Sequence, residues 1–201
     1  PPGPSFAWCL QDAFSGLKTA REKVASSVTK RPARIAHLDT GYDNSHRTLP
    51  ANLRRDLQRN FVEGEAINDA RDPSKRGLLK NPGHGTGTLS ILAGNSVPQL
   101  NDFLGGAPAA EIIPVRIASS VILIRTSALA RALDYVLAPL GNLGNRPDVV
   151  SLSMGGVASA AWADAVNRCY ESGICIVAAA GNNYADLPTR FIVYPARFRR
   201  V

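Results

Sequence analysis

Apolar residues along this chain occur mainly in short runs that are separated by segments with helical periodicity. Four apolar runs predict buried strands, at 33–38, 111–117, 148–153 and 174–179. Helical spacing of apolar residues predicts helices at 11–26, 85–93, 126–137 and 159–171. Because strands alternate with helices, the pattern predicts an α/β fold, a three-layer sandwich whose mainly parallel sheet is flanked by helices.

Several element boundaries carry local signals of their own. Thr126 or Ser127 is expected to cap the third helix, and Gly173 is expected to end the fourth. The run 174–179 is so apolar that we expect it to be covered on both faces. The polar segment 51–82 lacks sustained periodicity, which predicts a surface loop with short pieces of structure.

The chain divides into two parts of different character. Residues 1–32 have a proline-rich start followed by the first helix, and we interpret them as an N-terminal extension. Residues 33–201 carry the alternating pattern and are expected to form one domain. With 201 residues, of which 45% are hydrophobic, the chain is long enough to bury a core.

Polar residues follow the predicted strands at points that the topology brings together. Asp39, Ser153 and Asn182 each come just after the carboxyl end of a strand. His84 begins a helix, and in a right-handed crossover that helix starts at the same edge of the sheet. In open α/β sheets the binding crevice lies beyond this edge, so we expect the four residues to converge there.

Composition narrows the function classes. The three cysteines are an odd number, so they cannot all pair with one another, and buried free thiols are predicted for Cys169 and Cys175. No apolar run reaches the roughly 18 residues of a membrane-spanning helix, so no membrane partner is expected. The net charge of +7 would favour anionic partners, but no aromatic residues interleave with the clustered arginines, and nucleic acid is not expected as a partner.

Four short motifs carry the candidate chemistry, and they come in a fixed order. They are Asp39-Thr40-Gly41, Gly-His-Gly-Thr-Gly-Thr at 83–88, Ser-Leu-Ser-Met-Gly-Gly at 151–156 and Ala-Ala-Ala-Gly-Asn at 178–182. In order and context they resemble the N-terminal part of the catalytic domain of the subtilisin-like serine peptidases, over roughly 33–197. The resemblance implies a serine endopeptidase that acts on extended polypeptides.

The resemblance also implies roles for three residues. An acyl-transfer site needs a base, an anion that orients the base, and donors for the developing oxyanion. His84 would be the general base and acid, Asp39 would fix its tautomer, and the Asn182 side chain would donate to the oxyanion. From the residues alone, Asn182 is equally typical of a turn that needs left-handed dihedral angles.

Substrate binding is implied for the two motifs that follow the later strands. In the family, a strand of this type pairs its backbone with an extended peptide, and its glycines leave room for the residue before the cut bond. The residues concerned are Ser153, Met154, Gly155, Gly156, Ala180 and Gly181. The segment 120–124 would flank the other side of the peptide, although core packing explains its apolar side chains equally well.

The family's nucleophile is missing from these motifs. It sits in a Gly-Thr-Ser-x-Ala segment downstream of the oxyanion asparagine, and the 201 residues contain no such segment. We therefore expect the domain to be incomplete, the chain by itself to be inactive, and apolar surface to be exposed for self-association. The resemblance favours a secreted or cell-envelope location.

No cofactor is expected, and no metal ligand set can be identified. Calcium is possible by family resemblance, but Asn101 and Asp102 are the only suggestion of ligands, and calcium requires about six to eight oxygens.

Two alternative functions compete with the peptidase. One is a non-catalytic peptide-binding relative of the same fold, which would not need Asp39, His84 and Asn182 together. The other is a nucleotide-binding domain, but the segment 83–88 is not followed by the lysine of a phosphate-binding loop.

Other residues with reactive side chains are weaker candidates. His37 lies on the same face of its strand as Asp39, and a packing role is expected for it. A structural role is expected for His46. Ser127, in a segment that superficially resembles the family's serine segment, is expected to serve the start of a helix.

Overall fold

The centre of the molecule is a parallel sheet of five strands. This computed structural model describes residues 11, 13–26, 31–98, 102–138, 140, 144–182 and 192–201. The strands of the sheet are β1 (Arg34–Asp39), β2 (Arg59–Asn60), β5 (Glu111–Arg116), β7 (Val149–Leu152) and β9 (Cys175–Ala178). Their order across the sheet is β2-β5-β1-β7-β9, and every neighbouring pair is parallel. The sheet confirms the four predicted strands and adds β2, a short strand in the segment 51–82.

Four short strands form two small sheets outside the central one. β3 (Ser96–Val97) and β4 (Asp102–Phe103) are antiparallel, whereas β6 (Ile122–Leu123) and β8 (Gly155–Gly156) are parallel. The second of these sheets joins two segments that the sequence assigned to opposite sides of a peptide groove.

Helices pack on both faces of the central sheet. They are α2 (His84–Ala93), α3 (Thr126–Leu137) and α4 (Ala160–Glu171), whereas α1 (Leu17–Ser26) has no buried residue and is bound through Arg21 to Asp102 of β4. Ile35 of β1 belongs to the same buried cluster as Leu89 and Ala93 of α2. Leu38, on the opposite face of β1, packs in a second cluster that contains side chains of α3 and α4, Trp162 among them. The alternation along β1 therefore separates two cores, which confirms the three-layer α/β fold.

Two helix starts differ from the prediction. α1 begins at Leu17, well after residue 11, because Gly16 has a φ of +61° that an α-helix does not accommodate. The N-cap of α3 is Arg125, which makes no side-chain capping bond, so the expected cap by Thr126 or Ser127 is wrong. At the start of α3 the Thr126 carbonyl instead accepts a hydrogen bond of 2.6 Å from Nε1 of Trp162, a tertiary contact with α4.

The ends of α4 agree with the prediction. Ser159 is its N-cap, and the hydroxyl of Ser159 accepts a hydrogen bond from the backbone N–H of Trp162. Gly173 follows the helix with a φ of +76°, the left-handed conformation in which many helices end.

Strand β9 lies at one end of the strand order, and only one of its faces is well buried. Ile176 is 5% exposed, but Val177 is 56% exposed and Cys175 is exposed as well. The expectation that this run is covered on both faces is therefore wrong. The apolar run reflects the tendency of these side chains to be buried, whereas burial itself depends on which elements pack against the edge of the sheet.

The two described cysteines are free thiols in different environments. Cys169 is buried, and burial raises the pKa of its thiol to about 11, whereas Cys175 is exposed. The prediction of buried thiols is thus correct for Cys169 and wrong for Cys175, while Cys9 lies outside the described residues.

The difference in exposure gives a simple chemical prediction. At neutral pH we expect a maleimide to modify Cys175 at least about tenfold faster than Cys169, because the reactive species is an accessible thiolate. Peptide mapping of the modified protein by mass spectrometry measures both rates in one sample, and a Cys175→Ser variant is the control. Equal rates at the two cysteines would contradict the exposure that the structure gives them.

Candidate active site

The first part of the site is a sharp turn at the carboxyl end of β1. Asp39 is the last residue of the strand, and Gly41 follows with a φ of +99°. A Cβ atom at Gly41 would also lie only 2.6 Å from the backbone oxygen of Ala70. Both the dihedral angle and the close approach require glycine, so the turn holds the Asp39 side chain at the sheet edge.

Helix α2 begins directly against this turn. The backbone N–H of Gly85 donates to Oγ1 of Thr40 at 3.0 Å. A Cβ atom at Gly85 would overlap the carbonyl oxygen of Gly41 and would lie 3.1 Å from Oδ1 of Asp39. The glycine after His84 therefore allows the helix to approach the turn, and this approach brings the His84 side chain to Asp39.

Asp39 and His84 form a hydrogen-bonded pair. Nδ1 of His84 lies 2.7 Å from Oδ1 of Asp39, and the same oxygen accepts the backbone N–H of Thr40 at 2.7 Å. The Asp39 side chain is completely buried, whereas the His84 side chain is 29% exposed. Because Nδ1 faces the carboxylate, Nε2 is the ring nitrogen left to exchange a proton with another group.

The electrostatics of the pair follow from this contact. The hydrogen bond to Asp39 raises the pKa of His84 above its usual value, against the opposing effect of burial. Burial on its own would raise the pKa of Asp39, but the hydrogen bond from His84, the charge of its imidazolium and the N–H of Thr40 lower that pKa. The arrangement therefore favours an ionised Asp39 beside an imidazole that accepts a proton readily.

The other predicted site segments lie at the same edge of the sheet. Leu38, Leu152 and Ala178 are aligned side by side in neighbouring parallel strands, so the residues that follow them start from one edge. Asn182 is exposed and follows Gly181, which has a φ of +107°. The three segments that follow these strands thus leave the sheet at one edge, and the contact with Asp39 brings His84 to the same edge.

Strand β8 differs from the expected open groove. It pairs directly with β6, where the Gly155 N–H donates to the carbonyl of Val121 at 3.1 Å. On its other side Gly156 exchanges hydrogen bonds with Tyr194, at 2.9 and 3.4 Å. The expectation that 120–124 stands apart from 153–156, with a peptide between them, is therefore wrong for this structure.

The glycines of β8 explain why the groove is closed. A Cβ atom at Gly155 would overlap the Val193 side chain, and one at Gly156 would overlap the carbonyl oxygen of Leu123. The space that side chains at these two positions would need is thus occupied by neighbouring parts of the chain itself. Met154, between β7 and β8, is 2% exposed and its side chain belongs to the core.

The two remaining histidines are held by threonines. Nδ1 of His46 lies 2.7 Å from Oγ1 of Thr48 in an exposed turn, in agreement with a structural role. His37 is 3% exposed, and its Nε2 lies 3.0 Å from Oγ1 of Thr88. Sequence reasoning missed Thr88, although its position one helical turn after His84 and the alternation along β1 together give the signal.

The expectation that no metal ligand set can be identified concerns the side chains that most often bind metals. None of the groups of His, Cys, Asp and Glu in the part of the chain that the structure describes is arranged to hold a metal ion. Asp102 forms an ion pair of 2.9 Å with Arg21, and Asn101 lies outside the described residues. A cavity of about 550 Å³ beside the β1 turn has acidic residues in its lining together with Arg71 and Lys75, and two of the acidic residues, Asp69 and Glu65, are bound to arginines.

A search of family models matches residues 31–201 with the subtilase family. Among curated proteins, Subtilisin E of Bacillus subtilis (strain 168) is 31% identical over 207 aligned residues, which are 97% of this chain and 49% of that protein. Subtilisin-like protease 4 of Trichophyton equinum is 31% identical over 90% of this chain and 41% of that protein. The chain spans about half the length of the curated relatives that it matches.

Comparison with solved structures supports the same family relationship at the level of the fold. Sphericase is similar with a TM-score of 0.61 and 25% identity, over 90% of this chain and 56% of that one. The structure titled S41 Psychrophilic Protease, at 24% identity and a TM-score of 0.61, supports the fold alone. No described helix is both long enough and apolar enough to cross a bilayer.

Proposed function

Because the chain belongs to the subtilase family, we propose that it supplies the acid, the base and the oxyanion donor of a serine endopeptidase. The observation that carries the proposal is the 2.7 Å contact between Nδ1 of His84 and the buried carboxylate of Asp39. A pair of this kind, with Nε2 directed away from the carboxylate, is what a serine nucleophile needs for activation.

The proposed reaction needs a nucleophilic serine in a Gly-Thr-Ser-x-Ala segment. These 201 residues contain no such segment. Nε2 of His84 takes the proton of the serine hydroxyl as its oxygen attacks the peptide carbonyl, and Asp39 stabilises the imidazolium that results. The imidazolium then gives the proton to the departing amine, and an acyl-enzyme remains until water hydrolyses it. The chain by itself should therefore show no turnover above background.

Asn182 is proposed as a side-chain donor to the oxyanion. In a protein that joins this chain to the serine segment, we expect Asn182→Ala to lower kcat by about 10²–10³ with little change in KM, because the amide acts on charge that develops in the transition state. This magnitude is the one known for the corresponding asparagine of subtilisin. Steady-state kinetics on a peptide substrate measure it.

The control for Asn182 is another exposed asparagine. Asn52 donates to the carbonyl of Ala109 at 3.3 Å, beside the start of β5 and therefore at the edge of the sheet opposite Asp39, and Asn52→Ala should leave kcat unchanged. If both variants behaved like the parent protein, the assignment of Asn182 as an oxyanion donor would be wrong.

Extended polypeptide is the proposed substrate class. Its backbone would pair with Ser153, Met154, Gly155 and Gly156, and Ala180 and Gly181 would line the neighbouring subsite. Because β8 is paired on both sides in the structure, a peptide can bind there only when β6 or the Tyr194 segment moves away. We therefore propose that substrate binding exchanges one of these pairings for pairing with the peptide.

A non-catalytic peptide-binding relative is the second candidate, and the double pairing of β8 does not favour it. The experiment that separates the two uses a phosphonylating reagent directed at activated serines. If the protein is a peptidase and carries the serine segment, the reagent labels it, and its activity falls as the labelled fraction rises. A binding protein takes up peptide but is not labelled.

Location and partners of the whole protein stay predictions. One relative is named as a major intracellular serine protease, so family membership alone is compatible with more than one compartment, and we retain the secreted or cell-envelope location as a proposal. Self-association is proposed through apolar surface such as the exposed Val177. Nucleic acid and membrane are not proposed as partners.

A further inference from the structure

His37 is a buried titratable group that the proposed proton transfers do not use. Its imidazole lies on β1 two residues before Asp39, so both side chains point to the face of the sheet that α2 covers. Its Nε2 atom is 3.8 Å from Oδ2 of Asp39 and 3.0 Å from Oγ1 of Thr88. A valine or isoleucine would fill this strand position without burying a polar group, which is why the presence of histidine needs a reason.

Thr88 connects His37 to Asp39. Its Oγ1 lies 3.0 Å from Oδ2 of Asp39, and it also lies 3.3 and 3.2 Å from the backbone carbonyl oxygens of His84 and Gly85. The hydroxyl has one proton for three acceptors, and the ionised carboxylate is the strongest of them. Thr88 therefore donates to Asp39, and its oxygen is free to accept a hydrogen bond from His37.

This assignment fixes the state of His37. If Oγ1 of Thr88 accepts, then Nε2 of His37 must carry a hydrogen and donate it. Burial lowers the pKa of His37, and the nearby His84 adds to this effect, while Asp39 opposes it. The imidazole is thus neutral at neutral pH, and it directs the Thr88 hydroxyl away from the two competing carbonyls.

The two oxygens of Asp39 have different partners. Oδ1 accepts both the backbone N–H of Thr40 and Nδ1 of His84, whereas Oδ2 accepts the hydroxyl of Thr88. A carboxylate turns easily about its terminal torsion, because that torsion has a broad and roughly two-fold profile. Hydrogen bonds to Oδ1 alone leave the carboxylate of Asp39 free to turn about this torsion, whereas a further hydrogen bond to Oδ2 fixes its plane.

We propose that His37 and Thr88 are positioning residues for the Asp39–His84 pair. Nε2 of His37 directs the Thr88 hydroxyl onto Oδ2 of Asp39, and this second anchor keeps Oδ1 on Nδ1 of His84. The use of the pair in catalysis rests on the proposed function, but the anchor is a property of the pair itself and is measured without any substrate.

The test measures His84 by NMR in the full protein that carries this chain. In Thr88→Val, which keeps the shape of the side chain and removes the hydroxyl, the carboxylate loses its second anchor and its bond to Nδ1 weakens. We expect the pKa of His84 to fall and its Nδ1 proton to move upfield, because the bond to Asp39 is what raises that pKa. The matched variant Thr88→Ser keeps the hydroxyl and should keep both values.

A second pair of variants tests His37 independently. His37→Gln places an amide N–H near the position of Nε2 and should preserve both NMR values, whereas His37→Leu removes the donor and should shift them as Thr88→Val does, to a smaller extent. Where the protein hydrolyses peptides, Thr88→Val and His37→Leu should lower kcat by roughly 10- to 100-fold with little change in KM, since a slightly misplaced group is costly.

The outcomes separate this proposal from the proposed function. His84 values in Thr88→Val and His37→Leu equal to those of the parent protein would overturn the anchor, even if the protein were an active peptidase. Equal shifts in Thr88→Val and Thr88→Ser would overturn it as well, because packing alone would then be responsible. Shifts in the expected direction in a protein that hydrolyses nothing would support the anchor and contradict the peptidase. If Thr88→Val does not fold, the two His37 variants decide.

Discussion

Replacing His84 with alanine is expected to remove nearly all peptide hydrolysis from a protein that joins this chain to the serine segment. The imidazole of His84 is the proposed acceptor of the serine proton and its donor to the leaving amine, and the substitution removes both roles. We expect kcat to fall by about 10⁶, the magnitude known for the corresponding histidine of subtilisin. Steady-state kinetics with a chromogenic peptide measure the loss.

Peptide binding should survive this substitution. The backbone of 153–156 is proposed to bind the peptide, and His84 contributes to the chemistry more than to affinity. His46→Ala is the matched control, because His46 is an exposed histidine bonded to Thr48, and its loss should leave kcat unchanged. A His84→Ala protein with substantial activity that a phosphonylating reagent still inhibits would mean that the base has been misassigned.

Asp39→Asn is expected to have the second largest effect, a loss of about 10⁴ in kcat. The new amide would donate to Nδ1 of His84 in place of the carboxylate that accepts from it. The imidazole would then carry its hydrogen on Nε2, where it cannot accept the serine proton. The side chain has nearly the same size, so the buried site keeps its shape while the tautomer of His84 changes.

The pH dependence of the reaction gives this prediction a second measurement. Activity requires neutral His84, so kcat/KM should rise with pH through the pKa of His84, which Asp39 holds above its usual value. Loss of the carboxylate removes the cause that raises this pKa, and the remaining activity of Asp39→Asn should therefore rise at lower pH than that of the parent.

A surface carboxylate provides the control for Asp39. Asp56 is bound to Arg54 at 2.7 Å and its side chain is 60% exposed, so Asp56→Asn should change neither kcat nor the pH profile. An Asp39→Asn protein with the kcat and pH profile of the parent would show that the 2.7 Å contact with His84 does not serve catalysis.

The fold could be predicted because the pattern is local and repeated. Apolar runs such as 111–117 and 148–153 have the length and composition of buried strands, and the periodic segments between them are long enough for helices. The handedness of the crossovers then allows few arrangements of such units. Four of the five strands of the parallel sheet, and the helices on both of its faces, follow from these regularities, whereas the short β2 does not.

Part of the site could be predicted for the same reason. Asp39 and His84 are 45 positions apart, yet each stands at an element end that the topology brings to one edge of the sheet. The chain turns at Gly41, shortly after Asp39. Helix α2 comes closest to this turn at Gly85, directly after His84. Residue type and position at the end of an element were therefore sufficient to predict that the two residues meet at this edge, whereas their roles came from the family resemblance.

Only the tertiary structure determines which residues each segment contacts and which side chains are exposed. The sequence describes 120–124 and 153–156 as extended, but only the folded chain shows that they pair with each other. The sequence shows that Val177 is apolar, but it does not show that this side chain is exposed in the strand at the edge of the sheet.

His37 illustrates the physical reason. Alternation along β1 predicts the face on which its side chain lies, and burial follows from that face. Its hydrogen bond to Thr88, and through Thr88 its connection to Asp39, depend on the packing of α2 against β1 to within a fraction of an ångström. Local patterns in the sequence specify burial and periodicity, whereas hydrogen-bond partners distant in sequence are determined only when the elements pack together.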